Sequence, residues 1–244
     1  MIETLVAGDS AKPLDYRDGW ELQRRLHAEI VAGARAGTLV LAEHASVYTA
    51  GKRTEAHERP DDGSPVVEVD RGGRITWHGP GQLVGYPILR LREPVDVVAY
   101  VRSLEGVLIE VLRDVGVGAE RVAGRSGVWV PRADGADKIA AIGIRVASGV
   151  TMHGFALNVS NSLEPYARIV ACGIADAGVT TIERELGSAP SMAAVRARVM
   201  ARFSETAPSF AAPGADARSA PGEPSTSGAP SASVELPSSQ EVAG

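Results

Sequence analysis

The chain has 244 residues, 44% of them apolar, and a formal net charge of −5, which fits one large globular domain, alone or with an extension. The acidic total excludes a broad basic field for nucleic acid, and no apolar run approaches the ~18–20 residues needed to cross a bilayer. The start, Met1-Ile2-Glu3-Thr4, lacks the charged opening and apolar stretch of a secretory signal, so a cytoplasmic protein is expected.

Trp20, Leu26, Ile30 and Ala34 recur at helical spacing and predict a helix over 15–36, ended by Gly37. Short β-rich runs follow at Thr38 to Leu41 and Ser46 to Thr49. Val66, Val67 and Val69 suggest another strand, and Gln82 to Leu91 one more. Residues 96–115 form the clearest helix, with an apolar stripe of Val97, Val101, Leu104, Leu108, Val111, Leu112 and Val115. Asp96 is placed to cap its start and Gly116 to stop it. Gly127 to Val130 reads as a strand. Ile139 to Val146 and Val150 to Val159 read as two strands joined by a turn at Ser148-Gly149, and a helix carrying Ala194, Val195, Val199 and Phe203 follows Pro190-Ser191. Strands and helices mix without regular βαβ alternation, so the expected class is α+β with mixed or antiparallel sheets packed with helices. From about Thr206, Ala, Pro, Ser and Gly dominate. The expected organisation is a domain over 1–205 and a disordered tail over 206–244.

Four segments concentrate glycine and polar side chains. The run 71–82 sets five glycine or proline residues around two arginines, a threonine, a tryptophan, a histidine and a glutamine. That density suits a wall of a substrate pocket, where glycine lets backbone approach a ligand; a surface hairpin tip is the plainer alternative. Lys138 to Gly143 and Thr151 to Asn158 each interrupt an apolar strand with glycine, which suggests a shared groove. The fourth is Ala171-Cys172-Gly173-Ile174. Cys172 is the sole cysteine, so an intrachain disulfide and a multi-cysteine zinc site are excluded, and no metal or cofactor is expected. A free thiol is only slightly ionised at neutral pH and needs a neighbour to become nucleophilic. Lys138, at the mouth of a predicted strand, is one candidate; His78 and His153 are rival bases, and each of the three also has a purely structural reading.

Together RGGRITWHGPGQLVGYPIL, KIAAIGIRV, GVTMHGFALNVS and ACGI closely resemble the octanoyl-[acyl-carrier-protein]:protein N-octanoyltransferases, also called lipoyl(octanoyl) transferases or lipoate-protein ligase B. Glu43-His44 and Gly51-Lys52-Arg53 fit the same pattern, and the resemblance runs from about Leu5 to Phe203. It implies a fold similar to biotin and lipoate ligases and an acyltransferase of protein lipoylation. The donor would be octanoyl-acyl-carrier protein. The acceptors would be lipoyl domains of 2-oxoacid dehydrogenases and the glycine cleavage H protein.

The resemblance maps the nucleophile onto Cys172 and the lysine that lowers its pKa onto Lys138, acting as general acid and base. Acyl-binding positions fall on Arg71, Gly72, Gly73, Arg74, Ile75, Thr76, Trp77 and His78, then Ala141, Ile142 and Gly143, then Gly154, Phe155 and Ala156. Proline often precedes the family cysteine; here it is Ala171, which removes no chemical group. An apolar tunnel is expected, with Trp77, Ile142, Phe155 and Leu157 as lining, beside a basic patch including Arg53, Arg71 and Arg74. Thioester exchange followed by amide formation needs no ATP. The rival readings are an ATP-dependent lipoate or biotin ligase of the same fold and a non-catalytic acyl-binding protein.

Overall fold

A computed structural model describes residues 2–170 and 177–213. In chain order the elements are β1 (Glu3–Val6), α1 (Tyr16–Val31), β2 (Gly37–Ala42), β3 (Val47–Ala50), β4 (Val66–Glu68), β5 (Thr76–His78), β6 (Gln82–Leu89) and α2 (Val97–Asp114). There follow β7 (Glu120–Val122), β8 (Arg125–Arg132), β9 (Gly135–Ala147), β10 (Val150–Asn158), α3 (Ile182–Leu186) and α4 (Met192–Thr206). The seven-stranded sheet has the order β1-β2-β6-β10-β9-β8-β7, and a three-stranded sheet has the order β4-β3-β5. Parallel pairs (β1 with β2, β3 with β4) sit among antiparallel ones. The expected α+β class with mixed sheets is what the chain forms. None of the described helices is long and apolar enough to cross a membrane.

Period-2 alternation assigns the faces of the large sheet. Leu39, Leu41, Leu83, Phe155 and Leu157 enter one core with α2 and α4, while Val40, Val84, Tyr86 and Ala156 enter a second core with Leu26 and Ile30 of α1. The sheet is therefore covered on both sides. The Asp15 carboxylate accepts the Arg17 backbone N–H at 2.8 Å and caps α1. This helix is shorter than predicted. It breaks at Ala32 because Gly33 turns left-handed (φ 76°), and Gly37 instead opens β2. Asp96 caps α2 as predicted, accepting from Ala99 N–H at 2.8 Å. Ser148 (φ 52°) and Gly149 (φ 71°) form the predicted β9–β10 turn, whose two left-handed residues match the twist of the strands.

The packed chain also extends beyond the expected boundary at 205. Phe210 is buried and meets Tyr100 and Phe203 edge-to-face at 5.2 and 5.9 Å, and its carbonyl accepts from Arg92 N–H at 2.9 Å. One aromatic in an Ala/Pro/Ser window is diluted in any average over composition, yet it is enough to fasten the chain through Ala211 and Ala212 to the Arg90–Arg92 backbone.

Candidate active site

A cavity of about 240 Å³ opens where the two sheets meet. Its lining draws on β5, β6, β9 and β10, on Tyr16, on the turn at Arg71–Arg74, and on Gly124 with the start of β8 at Arg125 and Ser126. Gly143 stands opposite Gly154, Ala141 opposite Ala156, and Ile142 opposite Phe155 across β9 and β10. These small residues leave the sheet surface bare enough to receive a ligand. Gly154 has a second reason to be glycine, since a Cβ there would lie 2.1 Å from the Gly85 carbonyl oxygen of β6.

The 71–74 turn is built around its own arginine. Arg71 is buried, and its Nη1 donates to the Gly72 and Arg74 carbonyls while Nη2 donates to the Thr49 carbonyl and hydroxyl, all within 2.8–3.1 Å. Gly72 N–H donates to the Ile144 carbonyl of β9 at 2.9 Å, which pins the turn to the large sheet. Arg74 donates to Glu55 and to the buried Glu58 at 2.8 and 2.7 Å. Arg71 and Arg74 thus spend their donors on the protein, and the expected basic patch is not a set of three outward cations. Glu58 has a further duty: its carbonyl accepts from Val170 N–H at 3.2 Å, two residues before Cys172.

Thr76 and His78 face the cavity, whereas Ile75 and Trp77 pack with Tyr48 in a separate small core. Trp77 Nε1 donates to Ser46 Oγ at 2.9 Å. Ile75, Trp77 and Gly72 are outside the cavity lining, and so is Leu157, which belongs to the main core. Arg71, Gly73, Arg74, Thr76, His78, Ala141, Ile142, Gly143, Gly154, Phe155, Ala156 and Lys138 are all brought together around it.

Tyr16 and Tyr86 add aromatic walls that no sequence periodicity announced. Tyr16 stacks on His78 at 5.8 Å with planes 8° apart, and Tyr86 hydroxyl donates to His44 Nε2 at 2.7 Å. His44 Nδ1–H in turn donates to the Leu14 carbonyl at 3.0 Å. The Gln82 amide nitrogen donates to Asn158 Oδ1 and faces the Tyr166 hydroxyl, so its oxygen accepts from His78 Nδ1–H at 2.8 Å. Burial, reinforced by His44, pulls the His78 pKa down to about 3, and burial pulls His44 to about 4. Burial likewise lowers His153 to about 4, although its bond to Asp70 at 2.8 Å opposes this. Burial raises the Tyr16 phenol to about 12. All these rings are therefore neutral near pH 7. His78 and Tyr86 turn their polar atoms into the protein, so ring surface is what they offer the cavity. The lining is mixed: neutral rings and small residues share it with Arg53, Arg71, Arg74, Arg125 and Lys138, so it is not the uniformly apolar tunnel expected. Imidazoles with pKa values this low are also weak proton acceptors at neutral pH, which disfavours His78 and His153 as the base.

Lys138 is buried on β9, with its Cε 3.5 Å from where a Gly127 Cβ would stand. Its backbone N–H donates to the Gly178 carbonyl at 2.9 Å and its carbonyl accepts from Thr180 N–H at 3.0 Å. Cys172 lies outside the described residues, as do Ala171, Gly173 and Ile174. Among the described residues no cluster of three or more His, Cys, Asp or Glu could hold a metal ion.

Filling the bare floor tests the cavity directly. Ala141→Leu should raise KM for an octanoyl donor about tenfold and favour shorter chains, since displacing two methylenes forfeits roughly 1.6 kcal/mol of burial. Initial rates with acyl donors of graded length check this, and an unchanged length profile would place the acyl chain elsewhere.

Comparison with known proteins agrees with this architecture. The family described as "Lipoyl protein ligase A/B catalytic domain" matches residues 15–204. A protein of Leifsonia xyli subsp. xyli named "Octanoyltransferase" is 66% identical over 190 residues, covering 77% of this chain and 84% of its own length. Among solved structures, a bipartite lipoate protein ligase of Thermoplasma acidophilum superposes with a TM-score of 0.63 at 18% identity, covering 84% of this chain and 82% of that one. Biotin protein ligase of Aquifex aeolicus in complex with biotin and ATP gives 0.50 at 16%, covering 84% and 69%. These two likenesses concern the fold alone. The matched family and the identity to its curated relative establish that the chain belongs to the lipoyl protein ligase A/B catalytic-domain family.

Proposed function

We propose that the protein is an octanoyltransferase of protein lipoylation that works through a thioester on Cys172, with Lys138 moving the proton. The donor is octanoyl-acyl-carrier protein. The acceptors are lysines on lipoyl domains, those of 2-oxoacid dehydrogenases and of the glycine cleavage H protein. The observation that carries this reading is the buried Lys138 amine on the cavity wall, with its own backbone hydrogen-bonded to Gly178 and Thr180. Cys172 stands six residues before Gly178, and its upstream neighbour Val170 is tied to Glu58, whose side chain holds the 71–74 turn. The chain on both sides of the thiol is thereby fastened to the cavity's walls.

In the first half-reaction the thiol proton passes to Lys138 Nζ and the thiolate attacks the donor carbonyl. The carbon–sulfur bond to the carrier breaks as a new one forms to Cys172, and the carrier sulfur takes the proton. In the second, the neutral amine of the acceptor lysine attacks the Cys172 thioester. An amide forms, the carbon–sulfur bond breaks, and the amine's surplus proton returns through Lys138 to the thiol. Donor and acceptor exchange one acyl group for one proton, and no nucleotide is consumed.

Intact mass after incubation with octanoyl-carrier protein, without ATP, tests this. One octanoyl adduct on the wild type, lost in Cys172→Ala, is expected. Product that forms only with ATP, or an adduct that persists in Cys172→Ala, would replace the reading with that of a ligase or of a different nucleophile.

A further inference from the structure

We propose that Trp129 is a positioning residue for the transfer: its indole face holds the Lys138 ammonium at the place where the proton is exchanged. This rests on the Cys172–Lys138 reading above and adds to it the group that orients the lysine. Lys138 Nζ lies 4.6 Å from the centroid of the Trp129 ring, the range in which an indole attracts a cation. Trp129 is 1% exposed, so the attraction acts with little screening by water. The two residues are cross-strand partners on β8 and β9, directly after a register shift between Val128 and Trp129. Such an irregularity re-aims the side chain that follows it.

Gly127 completes the arrangement. It has a φ of 106°, and a Cβ there would lie 2.5 Å from the Ala140 carbonyl oxygen, while the Lys138 stem runs alongside with its Cε at contact distance, 3.5 Å. Its N–H is held at 3.0 Å by the buried carboxylate of Glu105, which fixes this backbone to α2. Two observations single out the ring face as what this tryptophan contributes. Its Nε1 is buried and has no hydrogen-bond partner among the described residues, so no bond to them through the nitrogen accounts for its position. And among the described residues Lys138 makes no ion pair with a carboxylate, while the ring lies 4.6 Å from its charge. Arg125 sits 5.7 Å from the same ring and lines the cavity, so two cations share one aromatic surface beside the site.

The test replaces Trp129 site-specifically with mono-, di- and tetrafluorotryptophan, which weaken the ring's hold on a cation while keeping its shape; Trp129→Phe and Trp129→Leu extend the series. The expected result is a stepwise fall in kcat for octanoyl transfer, on the order of tenfold across the fluorinated set, with donor KM unchanged. The pH midpoint for alkylation of Cys172 by iodoacetamide should climb in parallel, because a less firmly held cation favours the thiolate less. A flat kcat and a fixed alkylation midpoint across the fluorinated rings, with the wild type still taking its octanoyl adduct at Cys172, would overturn the role of Trp129 and leave the dyad standing. A wild type that takes no adduct at Cys172 would overturn both.

Discussion

Lys138→Met should lower octanoyl transfer by about 10²–10⁴-fold, the span that a positioned proton-transfer group contributes. Methionine has a similar length and an apolar, flexible stem, so it fills the passage beside Gly127 without leaving a hole. The fold should survive, which a thermal melt would confirm. Lys138→Arg is the sharper comparison. Arginine keeps a positive charge at position 138 but does not give up its proton in proteins. If the lysine both favours the thiolate and carries the proton, Arg fails nearly as badly as Met in the complete reaction. It should nevertheless retain rapid alkylation of Cys172, which needs only the charge. Full transfer activity in Lys138→Arg would remove the acid–base role and leave an electrostatic one. The neutral, weakly basic state of His78 and His153 makes neither a ready substitute at neutral pH.

Stability should drop steeply with acid, starting above the range in which ordinary carboxylates titrate. His44, His78 and His153 are all buried, and their folded pKa values lie at about 4, 3 and 4 against an ordinary 6.5. A depressed histidine pKa means that the unfolded chain binds more protons than the folded one below 6.5. Stability from these groups is therefore fully present above that value. It declines as pH falls through 6.5, and goes on declining to about 4 for His44 and His153 and about 3 for His78. Each group contributes about 1.4 kcal/mol per pH unit, so the three together reach up to about 4 kcal/mol per unit. Urea unfolding midpoints at about pH 7 and about pH 5 would measure it, since ordinary carboxylates titrate below that interval. Equal midpoints would mean that these imidazoles do not sit neutral in the folded protein. Cavity occupancy by an acyl ligand should then protect, because a ligand that binds only the folded state stabilises it.

The long elements were legible because their signals are local and repeated. The α2 stripe with its Asp96 cap, and the Ser148-Gly149 turn between two apolar runs, each carry enough residues to declare a period. Strands of three or four residues do not: β1, β5 and β7 are too short for alternation to stand out. That brevity had a cost in the candidate site. Read as loop, residues 75–78 appeared to present all four side chains to one pocket. As a strand they divide by parity, Thr76 and His78 toward the cavity and Ile75 and Trp77 toward Tyr48. The boundary of α1 was misjudged because two glycines were available, and the first to reach a left-handed conformation ended the helix. Tyr16 and Tyr86 escaped notice for a different reason. Their place in the lining depends on α1 lying over β6 and β10, and separation along the chain says nothing of that. The floor was legible because Gly143, Gly154, Ala141 and Ala156 had to be small, and smallness within an apolar strand is visible in the sequence itself.

Glu58 gives the molecule a mechanical property. Its carboxylate grips Arg74 and its carbonyl grips Val170, so one residue ties the 71–74 turn of the cavity wall to the chain two positions before Cys172. A shift of Arg74 would pass through Glu58 to Val170, and a shift of Val170 would return by the same route. Two stretches far apart in sequence are in this way strung on one thread, with no moving domain required.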